Sequence, residues 1–313
     1  MSATHYLLSI ALAPLLSGVI NRVKARFAGR RGKPCLQLYY DLAKLLRKDA
    51  VYSATSSPVF RLGPAVNLAA VLTALLFVPL GNVPALFRFT GDFFLAAYLL
   101  AMGRFATILA AMDTGSAFEG MGASREATFS ALAEPVLLIG FVPLGMTVKS
   151  FSLTPMLAPF SPAAWERYWP VLILLAAAFF IVLLVENSRI PVDDPNTHLE
   201  LTMIHEAMIL DHGGVDLALI EFASALKLWF FCAVVAGVAM PDVSLFTADA
   251  SVYGAALSRK SASLGFTLAG IFLTASLVGV TESITARLRL IRVPQLLALA
   301  AALAALACLF SLR

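Results

Sequence analysis

The sequence predicts an all-α, polytopic membrane protein of about eight transmembrane helices, and three observations predict it. Hydrophobic residues make up 60% of the 313 and charged residues only 13%, at a mean hydropathy of +0.85, which is more apolar than a soluble globule of this size requires. The apolar residues fall in long unbroken runs that lack the two-residue alternation of a barrel strand. Lipid offers backbone N–H and C=O groups no partners, so continuous helices are what such runs form when they span.

A crossing helix needs about 20 apolar residues, each advancing it ~1.5 Å through ~30 Å of hydrocarbon. Eight stretches meet that requirement, near 3–21, 64–82, 92–112, 127–148, 169–187, 214–240, 264–282 and 293–312. No internal repeat, low-complexity linker or separable soluble segment interrupts them. The whole of 1–313 therefore reads as a single membrane domain.

The first run has no basic stretch before it, and its Lys and Arg residues follow it. That order is the reverse of a signal peptide and predicts a retained first span. The loop after it, "NRVKARFAGRRGKPCLQLYYDLAKLLRK", mixes Leu38, Leu42, Leu45 and Leu46 with Lys44, Arg47 and Lys48. This spacing predicts a helix lying in the membrane interface, either anchored to anionic lipid or docked to a partner.

Lys and Arg favour the cytoplasmic side. Loops 1, 3, 5 and 7 carry ten, one, one and three of them, whereas loops 2, 4 and 6 carry five together. Both termini are expected outside, with the acidic segment facing the cytoplasm. The net charge of +4 is largely this topology signal, so no nucleic-acid partner is implied.

Charges within spans are disfavoured by roughly 2.5–3.5 kcal/mol each on insertion scales, so each one needs a partner, a wet cavity or a function. Arg104 lies in span 3, Glu134 in span 4, and Glu221 and Lys227 in span 6. Lys227 is too deep to snorkel, and Glu221, six residues away, is off its helix face. Its partner is expected from another span, either as a helix-locking charge pair or as part of a proton relay. Arg104 has the same two readings, with partial snorkelling as a further one. Pro135 follows Glu134 and frees a backbone carbonyl, which favours water and a relay at that position. Burial is expected to raise the Glu134 pKa into a useful range. Glu282 and the Arg287, Arg289 and Arg292 cluster read as ordinary interface charges.

"VENSRIPVDDPNTHLELTMIHEAMILDHGGVDLALIE" concentrates eight of the nineteen acidic residues between Glu186 and Glu221. Pro191 and Pro195 turn the chain. Asp194 as N-cap and Pro195 in the first turn predict a helix from 195 to about 210. His198, His205 and His212 recur every seven residues, but the spacing is not that of a metal site, and Gly213 and Gly214 interrupt it. Cys35, Cys232 and Cys308 are isolated, so no cofactor is expected in this chain. Carboxylates leading inward from Glu186, Glu200 and Glu206 toward Glu134 and Glu221 predict a polar chamber, with Lys227 in the same relay. A solvated loop that docks another subunit is the competing reading.

"ENSRIPVDDPNTHLELTMIHEAMILDH", "GASREATFSALAE" and "LYYDLAKLLRK" closely resemble the membrane subunit of energy-conserving [NiFe]-hydrogenases of the formate hydrogenlyase and hydrogenase-4 kind. Those subunits are similar to the eight-helix H subunit of respiratory complex I, and the resemblance spans essentially the whole chain. By position, Gly122, Arg125 and Glu134 match the family's fourth-span motif. Glu186, Arg189, Pro191, Asp193 and Glu200 match its acidic loop.

The resemblance implies a non-catalytic subunit that anchors a redox arm and couples it to proton or sodium-ion movement. Arg125, Arg189, Pro191, Asp193, Asp194, His198 and His205 are expected to shape the loop and its subunit interface. The implied partners are hydrogenase large and small subunits, which hold the nickel–iron and iron–sulfur centres, with antiporter-like membrane subunits and membrane lipids. Asn196, His198 and Met208 stand where the complex I form carries glutamates, which favours the hydrogenase branch over a quinone-site subunit. A stand-alone cation antiporter is the remaining alternative.

Overall fold

The computed structural model describes residues 2–54, 56–193, 203–241 and 254–312. Among them the spanning helices are α1 (Ser2–Phe27), α3 (Pro58–Leu75), α4 (Asp92–Asp113), α5 (Ala117–Val148), α7 (Pro162–Glu186), α9 (Gly214–Ala239), α10 (Gly254–Ile284) and α11 (Val293–Ser311). Among the described residues eight helices are long and apolar enough to cross a membrane, as the eight apolar runs predict. Three short helices lie outside the spans: α2 (Gln37–Leu45), α6 (Leu153–Met156) and α8 (His205–Met208). Only isolated bridges, Leu80 with Val83 and Phe160 with Pro241, represent extended pairing among the described residues.

The span boundaries move where caps outrank hydropathy. The second helix runs from 58 to 75 rather than from 64 to 82. Ser57 caps it by accepting from the Val59 amide, Pro58 occupies its first turn, and Asp113 Oδ2 accepts the Ser57 amide at 2.7 Å. Proline is preorganised for a first turn and has no N–H to leave unpaired there. The apolar residues just past α3, among them Phe77, Val78 and Leu80, are buried in a folded-back loop instead of extending the helix. Ser161 and Pro162 likewise start α7 seven residues before the expected 169. The fourth span begins at Ala117, ten residues before the expected 127, and this extension carries Gly122, Arg125 and Glu126 into the bundle.

Helix α9 is the centre of the bundle, packing against α1, α3, α7 and α10. It buries Leu226, Trp229, Phe230, Phe231 and Val234 in the main apolar core. Where lipid is as apolar as a side chain, helices associate through close packing and polar contacts more than through hydrophobic transfer. Gly140 shows the packing requirement, because a Cβ there would lie 2.5 Å from the Phe179 ring. At the opposite end of α4 from the acidic turn, buried Asp92 accepts from the Leu153 amide and the Ser152 hydroxyl, both at 2.7 Å. These bonds fasten the α5–α7 connection to α4.

The expected interfacial helix is α2, which has no buried residue and lies against α1 and α9. Its Tyr39 hydroxyl donates to the Ala11 carbonyl. The helix expected over 195 to about 210 is helical at His205–Met208, ending before 210, while 195–202 lie outside the described residues.

Candidate functional site

Glu186 ends α7 and is only 7% exposed. Its Oε1 accepts from Arg104 Nη1 at 2.7 Å, and its Oε2 lies 3.0 Å from Lys227 Nζ. The Arg104 Nη2 donates to Glu134 Oε1 at 2.6 Å. One chain of ionic contacts, Glu134–Arg104–Glu186–Lys227, thus joins α5, α4, α7 and α9. A buried charge requires such pairing because the low-dielectric interior does not replace its lost hydration. Arg104 is therefore a bridge between helices rather than a snorkelling side chain. Lys227 finds its partner on another span, as its depth requires.

Glu126, from the extension of α5, is 8% exposed and faces the same space. Sequence reasoning missed it, because a span placed from 127 leaves it in the preceding loop. With Glu126 the cluster holds three carboxyls (Glu126, Glu134, Glu186) against two cations (Arg104, Lys227). Such an excess suits a site that takes up and releases a cation or proton. Glu134 is shallower than expected, with 33% of its side chain accessible.

A cavity of about 40 Å³ is lined by Arg104, Glu126, Glu186 and Lys227, with Asn67 and Thr107 beside them. A second cavity of about 400 Å³ is lined by Arg189, Asp193, Glu206 and Glu221 and opens toward Asn21 and Asp41. Asn187, Ser188, His205 and Ser224 line both. At ~10–15 Å³ of such volume per water, each has room for hydration. Glu221 faces the larger cavity and not Lys227, in keeping with their six-residue spacing.

The turn beneath these cavities is tightly tied. Ser188 takes a left-handed conformation at φ 46°, and the Ile190–Pro191 peptide is cis. Asp193, 2% exposed, accepts from the Ile204 and His205 amides at 2.9 and 3.3 Å through Oδ2. Its Oδ1 takes Arg287 Nη2 at 3.3 Å. Arg125 Nη1 donates to the Met203 carbonyl at 2.9 Å, fixing α5 to the same segment. Gly122 makes that approach possible, since a Cβ there would lie 2.8 Å from the Ile204 carbonyl oxygen.

Two of the supposed interface charges prove structural. Glu282, 7% exposed, takes Lys24 Nζ at 2.7 Å and Arg189 Nη1 at 3.6 Å. Arg287 holds Asp193, while Arg289 and Arg292 remain exposed. Asp194, His198 and Glu200 lie outside the described residues.

His205 and His212 do not share a helix face: α8 stops at Met208, and α9 begins at Gly214. Burial pushes the His205 pKa below the ordinary imidazole value, against the pull of Glu206. His212 stacks on Phe60, with ring centroids 4.0 Å apart and planes 3° from parallel. Burial also lowers its pKa, opposed by Asp216 and Asp211. Among the described residues no group of three or more His, Cys, Asp or Glu side chains is placed to hold a metal ion.

The family model described as NADH dehydrogenase matches residues 1–312. Hydrogenase-4 component C of Escherichia coli (strain K12) is 32% identical over 96% of this chain and 92% of its own length. Formate hydrogenlyase subunit 4 of the same organism is 29% identical over 93% of this chain and 91% of its own. A chain in the structure of the membrane-bound sulfane sulfur reductase, an archaeal respiratory membrane complex, superposes with a TM-score of 0.81 at 20% identity, covering 99% of this chain and 98% of that one. That likeness shows that the two chains share a fold. With a family match from end to end, this multi-pass membrane chain belongs to the NADH dehydrogenase (NADHdh) family.

Proposed function

We propose that this chain is the membrane-anchoring and ion-coupling subunit of a multi-subunit [NiFe]-hydrogenase complex of the formate hydrogenlyase kind. In this reading partner subunits hold the nickel–iron and iron–sulfur centres, and antiporter-like membrane subunits lie beside this one. The positive-inside count supports an acidic turn on the cytoplasmic side and both termini outside. The turn then faces the redox arm.

The observation that carries the reading is the Glu134–Arg104–Glu186–Lys227 chain, whose cavity shares Asn187, Ser188, His205 and Ser224 with the carboxylate-lined cavity at the turn. An ionic chain inside a bundle is costly, and the cavities beside it can hold the water that proton movement needs. Glu134, Glu186, Glu206, Glu221 and Lys227 form the relay within the described residues, and Glu126 joins them. Glu200 is proposed for the same relay from its place in the loop. Arg125, Arg189, Pro191 and Asp193 hold the turn in position, and Asp194, His198 and His205 belong to the same loop and its interface.

The test is ion movement per turnover in vesicles containing the intact complex. Glu186→Gln is expected to lower that ratio severely. An unchanged ratio in Glu186→Gln and in Glu134→Gln would remove the ionic chain from coupling.

A second reading, a quinone-site subunit, is favoured by the family match and by the larger cavity, which reaches Ser17, Gly18, Gln37 and Leu38 at the bundle edge. Extraction of the purified complex distinguishes the two. Stoichiometric quinone supports the second, and nickel in the co-purified arm supports the first.

A further inference from the structure

His205 is the side chain whose position the ionic chain does not explain. It lines both cavities, with the Glu186–Lys227 cluster on one side and Glu206 and Glu221 on the other. Its backbone is pinned, since the amide donates to Asp193 Oδ2 at 3.3 Å. Its ring nitrogen Nε2 is nonetheless buried without a hydrogen-bond partner among the described residues. A structural histidine normally satisfies its nitrogens when buried. An unsatisfied one at a boundary between two polar cavities is suited to exchanging protons across it.

We propose that His205 is the proton-transfer link between the outer chamber of Glu206 and Glu221 and the inner chamber of Glu186 and Glu126. This rests on reading the chain as an ion-coupling subunit. In the inward step the protonated carboxyl of Glu206 or Glu221 gives its proton to the neutral ring, leaving a carboxylate and an imidazolium. The imidazolium then releases a proton to the inner chamber, where the Glu186 or Glu126 carboxylate receives it and the ring is neutral again. The reverse sequence serves outward movement.

The charged groups around the ring suit a transient imidazolium. Glu206 on its own turn and Asp193 from the turn after α7 stabilise the cation, whereas Lys227 from α9 and Arg189 from that turn disfavour it. Burial favours the neutral ring more strongly than any of them. The resting ring is therefore neutral, and its charged form is a transient one.

The test uses the intact complex in vesicles and compares wild type with His205→Gln, His205→Phe, His205→Gly and Glu186→Gln. The two larger replacements keep bulk at the position but do not titrate, and each is expected to slow coupled ion movement by about tenfold or more. Imidazole in the medium is expected to restore part of the rate to His205→Gly, while pyrazole, equal in size but a far weaker base, is not. Equal rescue by both compounds would reduce His205 to a space-filling role and overturn the proposal. Full coupling in His205→Gln and His205→Phe, with loss in Glu186→Gln, would overturn it while leaving the ion-coupling reading intact. Full coupling in all of these variants would overturn both.

Discussion

Lys227 Nζ lies 3.0 Å from Glu186 Oε2, joining the middle of α9 to the last residue of α7. The two side chains are 16% and 5% accessible, so neither charge has bulk water as an alternative partner. The same carboxylate also receives Arg104. One acid thus organises three helices around the inner cavity, and changes to its partners should be felt both in stability and in coupling.

Lys227→Met keeps the side-chain stem and removes the charge. Breaking one side of a buried pair typically costs roughly 3–5 kcal/mol, here moderated because Arg104 still satisfies Glu186 in part. Thermal unfolding of the complex in detergent should show a clear loss. The double variant Lys227→Met/Glu186→Gln should lose less than the sum of the two single ones, since the pair is removed together.

Glu134→Gln should assemble normally. Its side chain is one-third accessible and makes one contact with an arginine that keeps its other partner, so the stability change should stay within about 1 kcal/mol. Ions moved per turnover should fall. An unchanged ratio would exclude Glu134 from coupling.

Asp193→Ala removes the acceptor shared by the Ile204 and His205 amides and leaves Arg287 without this carboxylate. Hydrogen bonds to charged groups are worth about 1.5–3 kcal/mol each. Hydrogen exchange at those two amides should accelerate strongly, while exchange in the core of α9 changes little. Uniform acceleration would indicate global destabilisation instead.

Gly122→Ala places a Cβ 2.8 Å from the Ile204 carbonyl oxygen, a backbone atom that moves only with the turn. The expected outcome is displacement of α8, read as weaker co-purification of the redox arm. Gly120→Ala meets open space and serves as the control on the same helix.

Acid should loosen the His212–Phe60 contact. Burial holds the folded chain's His212 below the ordinary imidazole pKa of about 6.5, so the unfolded chain binds the proton more readily. Stability from this residue is present above pH 6.5 and falls as pH drops below it. Thermal unfolding followed from about pH 7.5 to about pH 5 should show that decline in wild type and a weaker one in His212→Phe. Identical slopes would leave the ring without a titrating role.

Much of the architecture was legible because a spanning helix is a local property. A run of about 20 apolar residues declares itself whatever surrounds it. The depth of Lys227 is local too, and from depth alone a partner on another helix follows. Boundaries were harder to read. Hydropathy carried the second span to residue 82, whereas Ser57, Pro58 and the distant Asp113 cap set the helix at 58–75.

What only the packed bundle decided is which charges meet. Glu186 serves both Arg104 and Lys227 because α4, α7 and α9 converge at one depth, and helix convergence depends on side-chain packing far apart in sequence. The same holds for Glu126, drawn inside by the longer α5, and for Glu282, buried against Lys24 and Arg189. Sequence specifies how strongly each ionisable group needs a partner, through the cost of dehydrating it. Tertiary structure selects that partner, because Coulomb attraction and hydrogen bonding act over a few ångströms that only the assembled helices bring together.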